Sequence, residues 1–168
     1  MAFATLNDVF TGQIEDLYSA ETQLVSALPK IAAAASDAKL REAITTHLEE
    51  TRGHVDRLQQ IKRDLGMTGS QQCKGMAGLL AEGDDVLGEA GSGASKDAAI
   101  IGAAQRVEHY EIAAYGTART LASELGYDDA KKLLGETLDE ESAADQLLTK
   151  IATGGLLSSG LNAEANPN

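Results

Sequence analysis

The sequence predicts an all-α fold built as a bundle of four long helices. Apolar residues recur with the helical period of 3.6 along most of the chain, and we find none of the strict alternation that marks a half-buried strand. Eight of the 17 glycines fall between residues 66 and 93, so this stretch separates an N-terminal pair of helices from a C-terminal pair. The 168 residues suffice for one domain with a substantial core.

The N-terminal pair has clear start and stop signals. The first helix is predicted to begin at Thr5, with Asp8 completing a capping box, and Pro29 is expected to bend its last turns. The second helix is predicted to begin near Ser36-Asp37 and to end at Gly66, a C′ residue. The apolar face of the first helix carries Leu6, Phe10, Leu17, Leu24, Leu28 and Ile31.

The C-terminal pair follows the glycine-rich stretch. Its first helix is predicted from about 95–97 to Leu125, closed by Gly126, and its second from Asp128 to about Ala152. Inside the stretch between the pairs, the apolar patch 76–80 indicates a short extra helix. We place the domain at residues 1–153 and expect a flexible C-terminal tail over 154–168.

Connection lengths decide the topology. Each pair is joined by a tight turn and should form an antiparallel hairpin, whereas the two pairs are joined by roughly thirty residues, enough to return along a whole helix. Two antiparallel hairpins joined by one long crossover form the ferritin-like version of the four-helix bundle.

Charge and composition exclude several classes of function. With 26 acidic against 14 basic residues and a formal net charge of −12, the chain is a poor candidate for binding nucleic acid or anionic membranes. Its single cysteine, Cys73, allows no disulfide within the chain and fits a reducing compartment. Because the start also lacks a signal-peptide pattern, we expect a cytoplasmic protein.

Carboxylates interrupt the apolar face of all four helices. Glu21 lies on the first, Glu108 and Glu111 on the third, and Glu141 on the fourth, with Asp145 beside it. On the second helix the inward positions hold His47, either Glu50 or Thr51, and His54. A single inward glutamate usually lies at the edge of its stripe, but four helices with the same feature need a further test. We assign Glu140 and Glu15 to edges or solvated faces.

The further test is height along the bundle. Facing residues of an antiparallel hairpin have a nearly constant sum of residue numbers, and Glu21 with Glu50, Glu111 with Glu141, and Glu108 with Asp145 all fit the sums set by their turns. Both hairpins place these residues about fifteen positions, or roughly 22 Å of helix, from the turn. If the hairpins pack in register, the carboxylates meet in one layer.

Such a layer requires compensation, because buried carboxylates without Arg or Lys repel one another and lose their hydration. Oxygen ligands with one or two imidazoles suit iron or manganese, and bundles build dimetal sites from this donor set. We therefore predict two divalent metal ions, Fe or Mn. The alternative is a structural layer of protonated carboxyls.

Four segments resemble the YciE/YciF family, a stress-associated bacterial group of ferritin-like proteins. They are residues 16–21 (DLYSAE), 47–51 (HLEET), 107–116 (VEHYEIAAYG) and 137–141 (TLDEE). The resemblance covers nearly the whole chain, to about Ala152, and implies a ferritin-like bundle, usually a homodimer, with a rubrerythrin-like dimetal centre.

Carried over by position, the resemblance implies a set of metal ligands: Glu21, Glu50, His54, Glu108, Glu111, Glu141 and Asp145. Two departures matter. The second helix has Glu50-x-x-x-His54 instead of Glu-x-x-His, which leaves His47 as an alternative ligand, and Ala144 stands where the fourth helix should supply a second histidine.

Two functions follow as expectations. The first is a dimetal protein of the stress response that reacts with peroxide or dioxygen, as a peroxidase, catalase or ferroxidase would. The alternative is a structural or interaction protein of the stress response, with a metal site that does not turn over.

Overall fold

A computed structural model describes residues 3–155 and 158–166. Its helices are α1 (Leu6–Ala34), α2 (Ala38–Asp64), α3 (Lys74–Gly88), α4 (Ala94–Glu124), α5 (Asp128–Thr153) and α6 (Leu161–Glu164). Two short strands, β1 (Gly154–Gly155) and β2 (Ser158–Ser159), pair antiparallel. The all-α bundle predicted from the sequence is confirmed, and α1, α2, α4 and α5 are its four long helices.

The four long helices pack as two hairpins. α1 pairs with α2 and α4 with α5, while α1 also packs on α4 and α2 on α5. Asp97 at the start of α4 contacts the α1–α2 turn, and Tyr127 in the α4–α5 turn hydrogen-bonds Asn7 at the start of α1. α1 and α4 are therefore antiparallel, so α2 and α4 run in the same direction. The segment between them must return along the bundle, and within it α3 packs on α1 and α4.

The predicted helix ends are confirmed. Thr5 and Asp8 form the capping box of α1, and the Asp37 side chain caps α2 by accepting a hydrogen bond from the Leu40 N–H. Gly66 and Gly126 follow α2 and α4 with φ of +65° and +73°, values that favour glycine. α1 continues through Pro29 to Ala34.

Two apolar clusters fill the bundle, one towards each end. The first contains Leu24, Leu28, Leu40, Ile44, Ile100 and Leu148. The second contains Phe10, Ile14, Leu17, Leu58, Ile61 and Leu134. On every long helix the residues between these two sets include the inward acidic or histidine side chains. A polar layer thus lies between two apolar clusters, which separate it from water along the bundle axis.

The C-terminal segment is more structured than its prediction as a tail. The described part, 158–166, includes β2 and α6, and α6 packs on α4 and α5 with Leu161 only 5% exposed. Gly160 lies so close to the end of α5 that an added Cβ would be 2.3 Å from the Thr153 carbonyl carbon. The domain boundary at residue 153 stays a prediction. Among the described residues, no helix is both long and apolar enough to cross a membrane.

A buried carboxylate joins the two hairpins at one end of the bundle. Asp97 is 1% exposed and accepts hydrogen bonds from the backbone N–H groups of Ser36 (2.8 Å) and Asp37 (2.7 Å). The Asp97→Ala substitution leaves both donors without their partner and should lower the free energy of unfolding by about 2–3 kcal/mol, measured by urea denaturation. Asp84→Ala is the control, because the exposed Lys30–Asp84 pair should contribute under about 1 kcal/mol. Equal losses in the two variants would contradict this role.

Candidate metal centre

Six ionisable side chains form the polar layer between the two apolar clusters. Each is at most 6% exposed, and all four long helices contribute. The members are Glu21 from α1, His47 and His54 from α2, Glu108 and Glu111 from α4, and Glu141 from α5. We call these six residues the carboxylate layer. Carboxylates from α1, α4 and α5 meet at one height as predicted, whereas α2 contributes two histidines and no carboxylate, because Glu50 lies outside the layer.

The carboxylate layer contains two overlapping donor sets. In the first, one ligand atom each from His47, Glu108, Glu111 and Glu141 lies within 4.8 Å of the others. In the second set, one ligand atom each from Glu21, His54 and Glu141 also lies within 4.8 Å of the others. Each set therefore has one imidazole and at least two carboxylates, and Glu141 belongs to both. This is the composition expected for two neighbouring metal ions that share a bridging carboxylate.

The atoms of the carboxylate layer lie close together, and its histidines form ion pairs with its carboxylates, but many of these atoms do not meet hydrogen-bond geometry. His54 Nδ1 is 3.0 Å from Glu141 Oε1 and 3.3 Å from Glu21 Oε1, and His47 Nε2 is 3.6 Å from Glu108 Oε1. Nine buried side-chain atoms of the six residues nevertheless have no hydrogen-bond partner, including both Glu111 oxygens and both His47 nitrogens. Buried polar groups in proteins are normally paired. Their convergence without pairing favours a ligand that accepts all of them at once.

Helix geometry explains which side chains enter the layer. His47 and His54 are seven residues apart, which is two turns of α2, so both imidazoles lie on one face. Glu108 and Glu111 are one turn apart on α4 for the same reason. The open choice between the two histidines is answered by the presence of both. α5 holds Ala144 where a second histidine was expected, and α2 instead brings two imidazoles to the layer.

Burial and like charge shift the pKa values of the glutamates in the layer. Burial is the largest cause that raises the pKa of Glu108 and Glu111 well above the usual 4.5, and neighbouring carboxylates add to the effect. The pKa of Glu141 is also raised by burial, although His54 opposes the shift. Without a cation, the layer therefore holds protons on carboxyl groups that would be ionised in water.

Burial lowers the pKa values of the two histidines, whereas it raises those of the glutamates, but neighbouring carboxylates reverse the effect on the histidines. Desolvation lowers the pKa of His54, but the adjacent carboxylates of Glu141 and Glu21 outweigh it and raise the pKa to about 10. The pKa of His47 is raised as well, since Glu50 and Glu108 outweigh its burial. With a pKa of about 10, the His54 imidazole is protonated at neutral pH unless a cation takes the place of the proton.

The outer face of His54 is held by a residue that the sequence analysis assigned to an edge. Glu140 Oε2 is 2.9 Å from His54 Nε2, and the same carboxylate accepts two hydrogen bonds from Arg57. Arg57 is the main cause that lowers the pKa of Glu140, so this carboxylate is ionised. It fixes the ring with Nδ1 towards Glu21 and Glu141, as outer carboxylates do for ligating histidines. Glu140 is 34% exposed and so lies at the edge, as predicted, but its contact with His54 was not predicted.

A second outer contact holds Glu21. The hydroxyl of Tyr115, fully buried, donates a 2.5 Å hydrogen bond to Glu21 Oε1. Burial and the Glu21 charge raise the pKa of Tyr115, which keeps the proton on the phenol oxygen. The remaining Glu21 oxygen, Oε2, has no hydrogen-bond partner.

Five of the seven residues predicted as ligands belong to the carboxylate layer, and two do not. The Glu50 side chain is 40% exposed and faces His47 Nδ1 at 3.5 Å from outside. Asp145 is 20% exposed, accepts a hydrogen bond from Gln105 and faces His109. At about 100° per residue, Glu50 points about 80° away from the mean inward direction of α2, where Thr51 is fully buried instead.

One further acidic residue was placed wrongly. Glu15, assigned to a solvated or edge position, is only 2% exposed. Its carboxylate lies against Gly69, where an added Cβ would be 1.9 Å from Glu15 Oε1. The loop after α2 therefore covers this side chain, well away from the carboxylate layer along α1.

Comparison with known proteins gives one family. The model of the domain of unknown function DUF892 matches residues 5–162. Protein YciF of Escherichia coli (strain K12) is 47% identical over 155 residues, covering 90% of this chain and 93% of the relative. The family match extends past the end of α5 and reaches the first residues of α6.

Solved structures agree with this result. The crystal structure of the E. coli stress protein YciF has a TM-score of 0.85 at 47% identity and covers 88% of this chain and 94% of that one. YcfI of Rhodopseudomonas palustris, suggested to be a structural protein, has a TM-score of 0.86 at 41% identity, with 89% and 96% covered. A Xanthomonas campestris protein at 17% identity and a TM-score of 0.69 shares the fold. The chain therefore belongs to the DUF892 family, which confirms its resemblance to the YciE/YciF proteins.

Proposed function

We propose that the carboxylate layer binds two divalent cations, iron or manganese, and that the protein acts in the stress response by reacting with peroxide or dioxygen. The observation that carries this proposal is the convergence of nine buried, unpartnered nitrogen and oxygen atoms on two overlapping donor sets. Buried polar atoms are normally hydrogen-bonded, and a cation could bind several of these atoms at once.

Charge balance supports two cations. The layer contains four carboxylates, and two divalent ions would neutralise their four negative charges while both histidines bind as neutral imidazoles. In the described residues, the ion-pair partners of these carboxylates are His47 and His54, with no Lys or Arg among them. Cations would thus replace protons that burial otherwise retains on the carboxyl groups.

The bound ions would supply redox chemistry and open coordination positions for a small oxidant. The residues of the chain hold and shield them. Glu141 would bridge the ions, and Glu140 with Arg57 keeps His54 in its ligating orientation. Tyr115 fixes one oxygen of Glu21, and the two apolar clusters keep water from the layer along the axis.

A second candidate is a structural or interaction protein of the stress response. It is favoured by the structural role suggested for YcfI, a relative at 41% identity. In this case the layer would bind metal without turning over peroxide. The two candidates therefore agree on metal content and differ on peroxide consumption, which separates them in one preparation.

Assembly and location belong to the same proposal. We propose a cytoplasmic homodimer, in line with the single buried Cys73 and with the family resemblance. Sedimentation analysis would distinguish a dimer from a monomer and from a many-subunit storage cage.

Metal content of a matched pair of variants tests the central claim. Protein reconstituted with iron or manganese and desalted should hold about two ions per chain, and Glu111→Gln should lose at least one of them. Glu124→Gln is the control, since Glu124 is an exposed residue of the same helix. Under about 0.3 ion per chain in the unsubstituted protein would exclude the metal proposal. Consumption of added peroxide by the loaded protein then separates the two candidates.

The stability of the metal-free protein should fall as pH rises. The raised pKa values of Glu108, Glu111 and His54 stabilise the fold fully below their unfolded values of 4.5 and 6.5, and this contribution is lost as pH rises through the folded values, about 10 for His54. Melting temperatures from pH 6.5 to 10 should therefore decrease in chelator-treated protein.

Two comparisons isolate the layer in that measurement. Glu111→Gln removes one buried ionisable group, so its metal-free form should melt higher than the unsubstituted protein at pH 9 and show a flatter pH profile. Loaded protein should also show a flatter profile, because cations replace the protons. A metal-free melting temperature that stays constant or rises over this range would contradict the electrostatic description of the layer.

A further inference from the structure

A cavity of about 580 Å³ lies between α2 and α5 beside the carboxylate layer. Its walls come from the N-terminal half of α2, from Asp37 to Glu50, and from the C-terminal half of α5, from Glu140 to Ile151. Leu24 and Leu28 of α1 and Ala104 and Val107 of α4 complete the inner wall, and α6 contributes Leu161.

Small side chains lie along two walls of the cavity. Ala104 of α4 and Ala144 of α5 are partly buried there, and Ala143 lies at its exposed side. Aliphatic side chains from α1, α2, α4, α5 and α6 also line the cavity, and they include Leu24, Leu28, Ile44, Val107, Leu148 and Leu161. All six are at most 6% exposed, so they form a fixed part of the first apolar cluster.

The inner end of the cavity is part of the carboxylate layer. His47 and Glu108 line the cavity and also belong to the first donor set. Both are more than nine-tenths buried, and the two His47 nitrogens and Glu108 Oε2 have no hydrogen-bond partner. A molecule in the cavity would therefore meet buried aliphatic side chains on the inner wall, exposed charged side chains on the outer part, and at the inner end polar atoms of His47 and Glu108 that lack a hydrogen bond.

Size and charge narrow the class of molecule. The volume is many times the roughly 30 Å³ share of a water molecule, so peroxide or dioxygen alone does not require it, and it lies in the range of about 300–1,000 Å³ for small-molecule sites. The lining contains six acidic residues against two lysines, which disfavours an organic anion. The acidic members are Asp37, Glu42, Glu50, Glu108, Glu140 and Glu164, and the lysines are Lys39 and Lys150.

We infer that this cavity binds an uncharged, largely aliphatic organic molecule whose single polar end meets His47 and Glu108. A second copy of the chain fits the observations less well, because an apolar side chain inserted here would leave those buried polar atoms unpartnered. The inference deepens the proposed function, since it places an organic molecule next to the metal ions, but the binding itself depends on the cavity alone.

Binding of an uncharged fluorescent probe tests the inference. Prodan, a neutral naphthalene ketone, should bind the metal-free unsubstituted protein saturably with about one molecule per chain, because His47 and Glu108 are not engaged by a cation in that form. 1-Octanol should displace it at least about tenfold more effectively than octanoate, because the acidic lining repels the anion. Unsaturable binding, or equal displacement by octanoate, would overturn the inference.

Filling the cavity provides the matched variants. Ala144→Leu should weaken prodan binding by at least about tenfold, whereas Ala113→Leu, at an exposed position of α4 outside the cavity, should leave it unchanged. If Ala144→Leu fails to fold by circular dichroism, Ala104→Leu offers the same test from the opposite wall. Equal binding in a folded cavity variant and the Ala113→Leu control would overturn the inference.

Two further measurements separate this inference from the proposed function and from a dimer contact. Metal content is determined after reconstitution of the same preparations, so that prodan binding to metal-free protein that takes up no metal refutes only the proposed function, and metal uptake without prodan binding to the metal-free form refutes only the cavity inference. Sedimentation with and without 1-octanol checks the oligomeric state. If the protein is a dimer that dissociates as 1-octanol binds, the cavity is filled by the partner chain in the dimer, and the inference is overturned.

Discussion

Repulsion among four buried carboxylates is the constraint on which the rest of the bundle depends. Glu21, Glu108, Glu111 and Glu141 converge at the centre of the molecule, where lost hydration and mutual repulsion oppose folding. The two apolar clusters above and below must supply enough stabilisation to hold the layer closed. Only protons or cations can then balance the charge, so the state of the layer links folding to pH and to metal supply.

The single nearby arginine shows how the layer stays available to a cation. Arg57 is 24% exposed and binds Glu140, which in turn holds His54 from outside. The guanidinium group therefore lies outside the layer and is connected to it only through Glu140 and His54. An arginine inside the layer would neutralise the carboxylates permanently and occupy the space that converging donors leave. Because Arg57 lies outside the layer, it helps to orient His54 through Glu140 and leaves the layer's carboxylates free for a cation.

The sequence was sufficient for features that depend on one helix or one hairpin. Glu21, Glu111 and Glu141 followed from helical period and hairpin register, since both are set by local turns. Glu50 and Asp145 were misplaced because rotation of a helix by one residue position moves a side chain between the layer and the edge, and only packing fixes that rotation. Glu140 was missed for another reason. Its role comes from α2 lying beside α5, a contact between hairpins that neither turn specifies.

Ala144 connects the composition of the centre with the space beside it. Ferritin-like dimetal sites take an imidazole from an i, i+3 Glu-x-x-His pair on each of two helices, and a histidine at 144 would complete that pair with Glu141. Here α2 carries both imidazoles, so α5 is free to hold a methyl group at this position. Ala144 lines the cavity, and His47 lies where the cavity meets the carboxylate layer. In the metal centre proposed above, both nitrogen ligands would come from α2, and α5 would present a small side chain on this side of the bundle.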